Sequence, residues 1–182
     1  MTVFIALYRG INVGGKNSVK MEALRALHAA LGHQAAESYI QSGNIVFRAK
    51  GTTASVTRAI TAAFTKEFGF KSTLMVRSAD EWAAFVAGNP YAKAAATDPT
   101  KVHAAICDGM PDKKSLAALL EKTGGPEAFV TAKGILYLHA PDGIGRSKFA
   151  AGLERTCGVP ATLRNWRTME AIQELVKRIA DE

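Results

Sequence analysis

The chain has 182 residues, of which 48% are hydrophobic and 21% are charged, so it can bury a core as one domain or two small ones, and its composition argues against disorder. The net charge of +7 is uneven: residues 1–95 carry 11 Lys or Arg against 5 Asp or Glu, whereas residues 96–182 carry 12 against 11. This excess favours an anionic partner, such as nucleic acid, a nucleotide or a phosphorylated metabolite. No apolar run approaches about 18 residues, so we expect a cytoplasmic protein without a membrane partner.

The first half of the chain predicts a strand, a loop, a helix and a hairpin, in that order. The apolar run from Val3 to Tyr8 has the length of a strand, and a glycine-rich loop follows it. Apolar residues then recur at helical spacing up to Gly32, with Ser18 as the expected N-cap. Two strand-like runs, ESYIQ and NIVFRA, are separated only by Ser42 and Gly43, a connection that can join only antiparallel neighbours.

The same order of elements occurs twice. A second helix ends near Gly69, the run KSTLMVR predicts a fourth strand, and Ser78 with Glu81 forms a capping box for a third helix. Residues 88–100 have the Gly, Pro and Ala content of a connector. Beyond them come the strand KVHAAIC, a helix, the hairpin AFVTAKGILYLHA, a helix, the strand ATLRN and a last helix from Thr168. This repetition indicates an internal duplication.

Each half has the order βαββαβ followed by an extra helix, which is typical of a ferredoxin-like module. We therefore predict an α+β protein of two tandem ferredoxin-like modules with antiparallel sheets, at residues 1–90 and 101–182, joined by a connector at 91–100. Antiparallel pairing argues against a P-loop nucleotidase, whose sheet is mostly parallel. The loop RGINVGGKN also has Asn17 where such a loop needs a Ser or Thr to hold Mg²⁺.

Several spaced motifs resemble one bacterial family. They are RGINVGGKNSVKMEALRALHAALG and YIQSGNIVF in the first half, and GRSKF and RNWRTME near the C-terminus. Together they resemble the domain of unknown function 1697 family over nearly the whole length. The resemblance implies a cytosolic α+β protein with ferredoxin-like halves, and it implies no particular activity.

The loop after the first strand is a candidate anion site. Its glycines can turn backbone N–H groups toward an anion, with basic side chains nearby. Lys20 is expected in the first helical turn, where a cation opposes the helix dipole unless an anion binds there. The same residues fit a tight connection in which glycines meet positive φ demands and lysines are solvated, and both interpretations stay open. The candidate residues are Arg9, Gly10, Asn12, Gly14, Gly15, Lys16 and Lys20.

The turn of the first hairpin offers two side-chain amides, those of Gln41 and Asn44. Amides suit the recognition of a base or a sugar hydroxyl, although Gly and Asn are also favoured turn residues. We expect this turn at the opposite end of the first strand from the glycine-rich loop, so the two are not assigned to one site.

The loop PDGIGRSK, residues 141–148, repeats the combination of glycines and basic residues. Arg146 and Lys148 stand where a helix begins, with Ser147 as the expected N-cap. They are the ligand-binding candidates of the second half, together with Trp166 and Arg167.

Aromatic residues allow two interpretations. Trp166 beside Arg167 can stack a base and hold its phosphate, or Trp166 can anchor the core. Phe4 and Tyr8 have the positions of aromatics in the first strand of RNA-recognition modules. We expect them on the sheet face away from the helices, covered by the companion half.

Side chains for catalysis and metal binding are sparse. The four histidines lie in separate predicted elements, and no HxH or HExxH spacing occurs, so we predict no metal site and no cofactor. Cys107 and Cys157 are far apart in sequence, each within an apolar segment, and we expect buried, reduced thiols.

Three hypotheses for function follow. The leading one is a cytosolic binding protein for a phosphate-bearing ligand, nucleotide or nucleic acid, recognised by the loops at 9–20 and 141–148. The alternatives are an enzyme on a small anionic metabolite that Arg9, Asn12 and Lys16 position, and a non-catalytic assembly module that pairs through exposed sheet edges. The ligand, the occurrence of a reaction and the oligomeric state are left open.

Overall fold

A computed structural model describes residues 1–181 of the chain as seven helices and eight strands. The strands are β1 (Thr2–Arg9), β2 (Gln34–Tyr39), β3 (Asn44–Ala49), β4 (Thr73–Ser78), β5 (Val102–Cys107), β6 (Ala128–Ala132), β7 (Ile135–His139) and β8 (Ala161–Asn165). The helices are α1 (Met21–Ala30), α2 (Thr53–Phe68), α3 (Ala79–Ala87), α4 (Ala92–Thr97), α5 (Lys113–Thr123), α6 (Lys148–Thr156) and α7 (Trp166–Asp181).

The chain divides into two compact units. The first unit comprises Met1–Ala84 and the chain from Ala171 onward, and the second comprises Phe85–Glu170. The chain passes from one unit to the other at two points, one within α3 and one within α7. The module ranges 1–90 and 101–182 stay sequence-based predictions.

Each unit contains a four-stranded antiparallel sheet. The strand order is β2-β3-β1-β4 in the first unit and β6-β7-β5-β8 in the second, so corresponding strands occupy the same positions. All strand pairs are antiparallel. The predicted α+β fold of two similar modules is confirmed. No helix within residues 1–181 has the length and apolar character needed to cross a membrane.

The core of the first unit lies between its sheet and the helices α1 and α2. Phe4 and Tyr8 are both buried there, in one cluster with Leu24 of α1 and Phe64 of α2. The expectation that Phe4 and Tyr8 point away from the helices is therefore wrong. Residues on both faces of β1 are buried, so apolar alternation could not indicate which face meets the helices.

Short-range sequence signals predicted most helices and strands correctly, and the structure differs from the prediction in three places. The capping box at α3 is confirmed, because the backbone N–H of Ser78 donates to Glu81 (2.8 Å) and that of Glu81 donates to Ser78 Oγ (3.2 Å). By contrast, α1 begins at Met21 with Lys20, not Ser18, as its N-cap. The hairpin connection has four residues, 40–43, rather than two, and the expected connector includes the short helix α4.

Candidate functional site

The paired glycines of the β1–α1 loop form the tip of a tight turn. Gly14 has φ 59° and Gly15 has φ 73°, and the backbone N–H of Lys16 donates to the carbonyl of Val13 (3.1 Å). Two central residues with positive φ between a bridged pair are the requirement of a type I′ hairpin turn. The turn therefore accounts for both glycines without a ligand. Anion binding by Gly10, Gly14, Gly15 and Lys16 stays a prediction.

The side chain of Asn12 connects this loop to the hairpin turn. Its Nδ2 donates to the carbonyls of Val19 (2.9 Å) and Gln41 (3.0 Å), and its Oδ1 accepts from the backbone N–H of Val19 (2.8 Å). Both amide protons are thus used inside the protein. Asn12 is a structural clamp, which weakens the hypothesis that it positions a substrate.

The glycine-rich loop and the hairpin turn lie at the same end of β1, contrary to expectation. Strand β1 pairs with β3 in antiparallel fashion, with Leu7 opposite Asn44, so β3 begins where β1 ends. The backbone N–H of Tyr8 also donates to the carbonyl of Gly43 (2.8 Å). The two groups of candidate residues therefore belong to one region of the first unit.

Within this region, Lys20 and Gln41 line a cleft of about 450 Å³, the first cleft. Its wall includes the start of α1, whose N-cap Lys20 makes no side-chain cap hydrogen bond, so the first amides of α1 lack that acceptor. Arg25 also lines the cleft and donates from Nη1 to Ser38 Oγ (2.6 Å). Sequence reasoning missed Arg25. Helical spacing could have indicated it, because Arg25 lies one turn after Met21, on the face of α1 that lines the cleft.

The first cleft is not purely cationic. Glu22 lies in the first turn of α1 and compensates part of the helix dipole with its own charge. Ile40 lines the same cleft, is 53% exposed and has φ 50°, a conformation that a β-branched residue rarely adopts. This cleft therefore combines two cations, one carboxylate and an apolar surface.

Two other candidate residues of the first unit, Asn44 and Arg9, take part in hydrogen bonds within the protein. Asn44 is fully buried, and its Nδ2 donates to the Tyr39 carbonyl (3.2 Å) and to Ser42 Oγ (2.8 Å). A buried side chain that stabilises the turn cannot contact a ligand from this position. Arg9 is half-buried at the end of β1, and its carbonyl accepts a hydrogen bond from Ser72 Oγ (2.9 Å).

The loop at 141–148 lines a larger cleft of about 640 Å³ in the second unit, the second cleft. Arg146 and Lys148 line it together with Lys101, which directly precedes β5 and which sequence reasoning did not include. Within residues 1–181 the side chains of Arg146 and Lys148 make no hydrogen bond or ion pair, whereas the charge of Lys101 acts on Asp98. The remaining wall is formed by Thr123, Gly125, Pro126, Glu127, Pro141, Asp142, Gly143, Ser147 and Phe149.

Ser147 begins the helix that borders the second cleft. Its Oγ accepts from the backbone N–H of Ala150 (3.0 Å), so the predicted N-cap is confirmed. The cap satisfies only one amide of the first turn, and those of Lys148 and Phe149 have no partner within the helix. The positive end of α6 thus lies beside the basic side chains.

Trp166 and Arg167 have different environments. Trp166 is 3% exposed and lies with its ring centroid 6.4 Å from that of Tyr137, so it is a core residue of the second unit and its ring cannot stack a base here. Arg167 is exposed. Hydrogen bonds from Thr100, with smaller contributions from the charges of Lys101 and Arg167, lower the pKa of Asp98. Arg167 is therefore near a carboxylate.

His28 of α1 and His33 of the connection that follows α1 meet in the first unit. Tyr8 Oη lies 2.9 Å from His28 Nε2, and His28 Nδ1 lies 3.0 Å from His33 Nδ1. Burial, with a smaller contribution from His33, lowers the pKa of His28 to about 3, so its imidazole is neutral near pH 7. Within residues 1–181, no three His, Cys, Asp or Glu side chains are arranged to hold a metal ion.

Comparison with known proteins supports the fold and the family. The solved structure of the conserved bacterial protein SP0830 from Streptococcus pneumoniae is similar, with a TM-score of 0.71 and 26% sequence identity over 96% of this chain and 98% of that chain. No curated protein matches the sequence. A family model described as protein of unknown function (DUF1697) matches residues 1–137, a range that includes RGINVGG and QSGN and ends before GRSKF and RNWRTME. The chain therefore belongs to the DUF1697 family of proteins of unknown function.

Proposed function

We propose that this protein is a cytoplasmic binding protein for a phosphate-bearing ligand and that the second cleft is its main binding site. The observation that carries the proposal is the convergence of Lys101, Arg146 and Lys148 on one cleft. Within residues 1–181 the side chains of Arg146 and Lys148 have no hydrogen-bond or ion-pair partner. These three cations outnumber the two carboxylates of the cleft, Glu127 and Asp142, and the excess positive charge would attract a multivalent anion. Phosphate has the charge and the acceptor oxygens for several such contacts.

The N-terminus of α6 adds to the positive electrostatic potential of the basic side chains in the second cleft. The first amides of α6 border the cleft, and a helix N-terminus favours negative charge. The volume of about 640 Å³ falls in the range of small-molecule sites. Glu127 and Asp142 line the same cleft and would accept hydrogen bonds from ligand hydroxyl or amino groups. A nucleotide carries both phosphate and such donors.

The first cleft supports a weaker version of the same function. Lys20, Arg25 and Gln41 offer two cations and an amide there, but Arg25 already donates a hydrogen bond to Ser38 Oγ. We therefore assign the first cleft a secondary role in recognising an anion.

Direct titration tests the proposal. Calorimetry with a panel of nucleotides, and fluorescence anisotropy with short single-stranded RNA and DNA, are measured at low and moderate salt. We expect saturable binding, and a loss of at least about tenfold in affinity for the Arg146→Ala/Lys148→Ala variant, since hydrogen bonds to charged groups contribute about 1.5 kcal/mol or more each. A steep decrease of affinity with salt would identify a polymer rather than a mononucleotide.

The matched control is Lys113→Ala/Lys114→Ala, which removes two exposed cations from α5 in the same unit but outside the cleft. It lowers the net charge equally and should retain affinity. Equal loss in both variants would indicate nonspecific attraction to a basic protein. Absence of binding by every nucleotide and oligonucleotide would contradict the proposal.

A further inference from the structure

The two cysteines of the chain meet in the core of the second unit. Cys107 ends β5, and Cys157 is the C-cap of α6, 50 positions later in the sequence. Both are fully buried, and their Sγ atoms lie 3.7 Å apart. Their separation in sequence gave no indication of this contact.

We propose that Cys107 and Cys157 are a thiol oxidation site that closes to an intramolecular disulfide when the protein meets a peroxide. A disulfide requires an S–S distance of about 2.05 Å, so two sulfur atoms already in contact need only side-chain rotation and a small backbone adjustment. A metal ion is a poorer explanation for the pair, because residues 1–181 provide no third His, Cys, Asp or Glu ligand beside it.

The nearby groups identify Cys157 as the attacking residue. A hydrogen bond with Cys107 lowers the pKa of Cys157, whereas burial and the carboxylates of Glu154 and Asp112 act in the opposite direction. The carbonyl of Ala105 also lies 3.3 Å from Cys107 Sγ and competes with Cys157 for the single proton of the Cys107 thiol. Cys157 lies at the end of a helix and next to the exposed Gly158, so fraying of the last helical turn would admit a small oxidant to it first.

The reaction balances with hydrogen peroxide as the oxidant. The Cys157 thiolate attacks one peroxide oxygen, the O–O bond breaks, and the departing hydroxide takes up a proton to give water and a sulfenic acid on Cys157. The Cys107 sulfur then attacks the sulfenic sulfur, the S–O bond breaks, and a second water leaves as the S–S bond forms. Two thiols and one peroxide thus become one disulfide and two waters, and a dithiol reductant reverses the step.

The disulfide would restrain the segment that forms the second cleft. It would close the chain from the end of β5 to the end of α6, a loop that contains the 141–148 segment and all of α6. Closing a long loop reduces the conformational freedom of the unfolded chain and raises stability. The second unit should therefore unfold at a higher temperature after oxidation.

Peptide mapping under non-reducing conditions tests the proposal. The purified protein is treated with a small excess of hydrogen peroxide and digested with or without dithiothreitol. We expect a mass decrease of about 2 Da, for two hydrogens, a cross-linked peptide pair containing Cys107 and Cys157, and a rise in melting temperature of several degrees that dithiothreitol reverses. Only mass increases of about 16 Da or multiples of it, or only disulfides between chains, would overturn the proposal.

Single variants separate the two roles. In Cys107→Ala, the Cys157 sulfenic acid should persist and be trapped by dimedone, whereas Cys157→Ala should react with peroxide at least about tenfold more slowly. Equal peroxide reactivity in both variants would overturn the assignment of Cys157 as the attacking thiol. Circular dichroism of each reduced variant shows whether it is folded. Peptide mapping of the wild-type protein tests disulfide formation independently of these variants.

Discussion

His28 and His33 place their Nδ1 atoms 3.0 Å apart, with the opposite side of the His28 ring hydrogen-bonded to Tyr8 Oη at 2.9 Å. Only one proton can occupy the space between the two Nδ1 atoms, so the contact requires at least one neutral ring. The ring of Phe47 packs on both imidazoles at centroid distances of 4.5 Å. This cluster ties the folding of the first unit to protonation.

The first prediction is that stability decreases as the solution is acidified. The pKa of His28 is lowered from 6.5 to about 3 by burial, so the unfolded chain binds the proton more readily than the folded chain. The stabilisation is fully present above about pH 6.5 and is lost progressively as the pH falls toward about 3, by roughly 1.4 kcal/mol per pH unit. Urea denaturation between pH 7 and pH 4.5 measures this slope.

The Tyr8→Phe/His28→Leu variant provides the comparison for this slope. It replaces both hydrogen-bonded partners by apolar side chains. His103 remains in this variant as another source of acid sensitivity, because burial lowers its pKa to about 4. The slope should be smaller than in the wild-type protein by about the contribution of one histidine. An unchanged slope would show that His28 does not control the pH dependence.

A second prediction concerns the clamp made by Asn12. The substitution Asn12→Ala removes three hydrogen bonds and places Ala at φ 56°, so we expect a loss of about 2–4 kcal/mol in the free energy of unfolding. Asn17→Ala is the matched control, since Asn17 has φ 52° but donates one side-chain hydrogen bond, to the carbonyl of Gly10. Chemical denaturation should show the smaller loss for Asn17→Ala, and equal losses would contradict the clamp.

A third prediction separates the turn from a phosphate cradle. Because Asn is well tolerated at the first central position of a type I′ turn, Gly14→Asn should change the free energy of unfolding by less than about 0.5 kcal/mol. Gly14→Val should cost more than about 1 kcal/mol, since a β-branched residue resists positive φ. Thermal denaturation measures both variants. If Gly14→Asn is as destabilising as Gly14→Val, the turn does not explain this glycine.

The fourth prediction concerns the close packing around Gly43 in the hairpin. A Cβ at this position would lie 2.7 Å from Ile11 Cδ1 and 2.9 Å from Tyr8 Cβ, closer than carbon atoms approach. Gly69→Ala is the control, because Gly69 has φ 73° against 75° for Gly43 and no atom within 4 Å of the added Cβ. Overpacking costs about 1–3 kcal/mol, so Gly43→Ala should be less stable than Gly69→Ala by about that amount. Equal stabilities in urea denaturation would contradict the observed packing.

The order of elements was predictable because it depends on neighbours along the chain. The continuous apolar run of β1, the Ser78 and Glu81 capping box and the Ser147 cap act over a few positions, and all three occur as expected. The repetition of that order indicated the two modules for the same reason. The segment RGINVGG is also a local pattern, and its glycines at 14 and 15 are explained by a local turn.

The contacts that define the candidate sites depend on pairing between distant segments. Antiparallel pairing of β1 with β3 brings Gln41 to Asn12, and the sheet of the second unit brings Lys101 to Arg146 and Lys148. The side on which the helices cover β1 likewise decides that Tyr8 meets His28. The sequence by itself determined the element order, the repeated fold and the residues that could carry charge, since these follow from short-range propensity and spacing. Only the tertiary structure decided which of those residues meet, because packing joins positions that no local pattern relates.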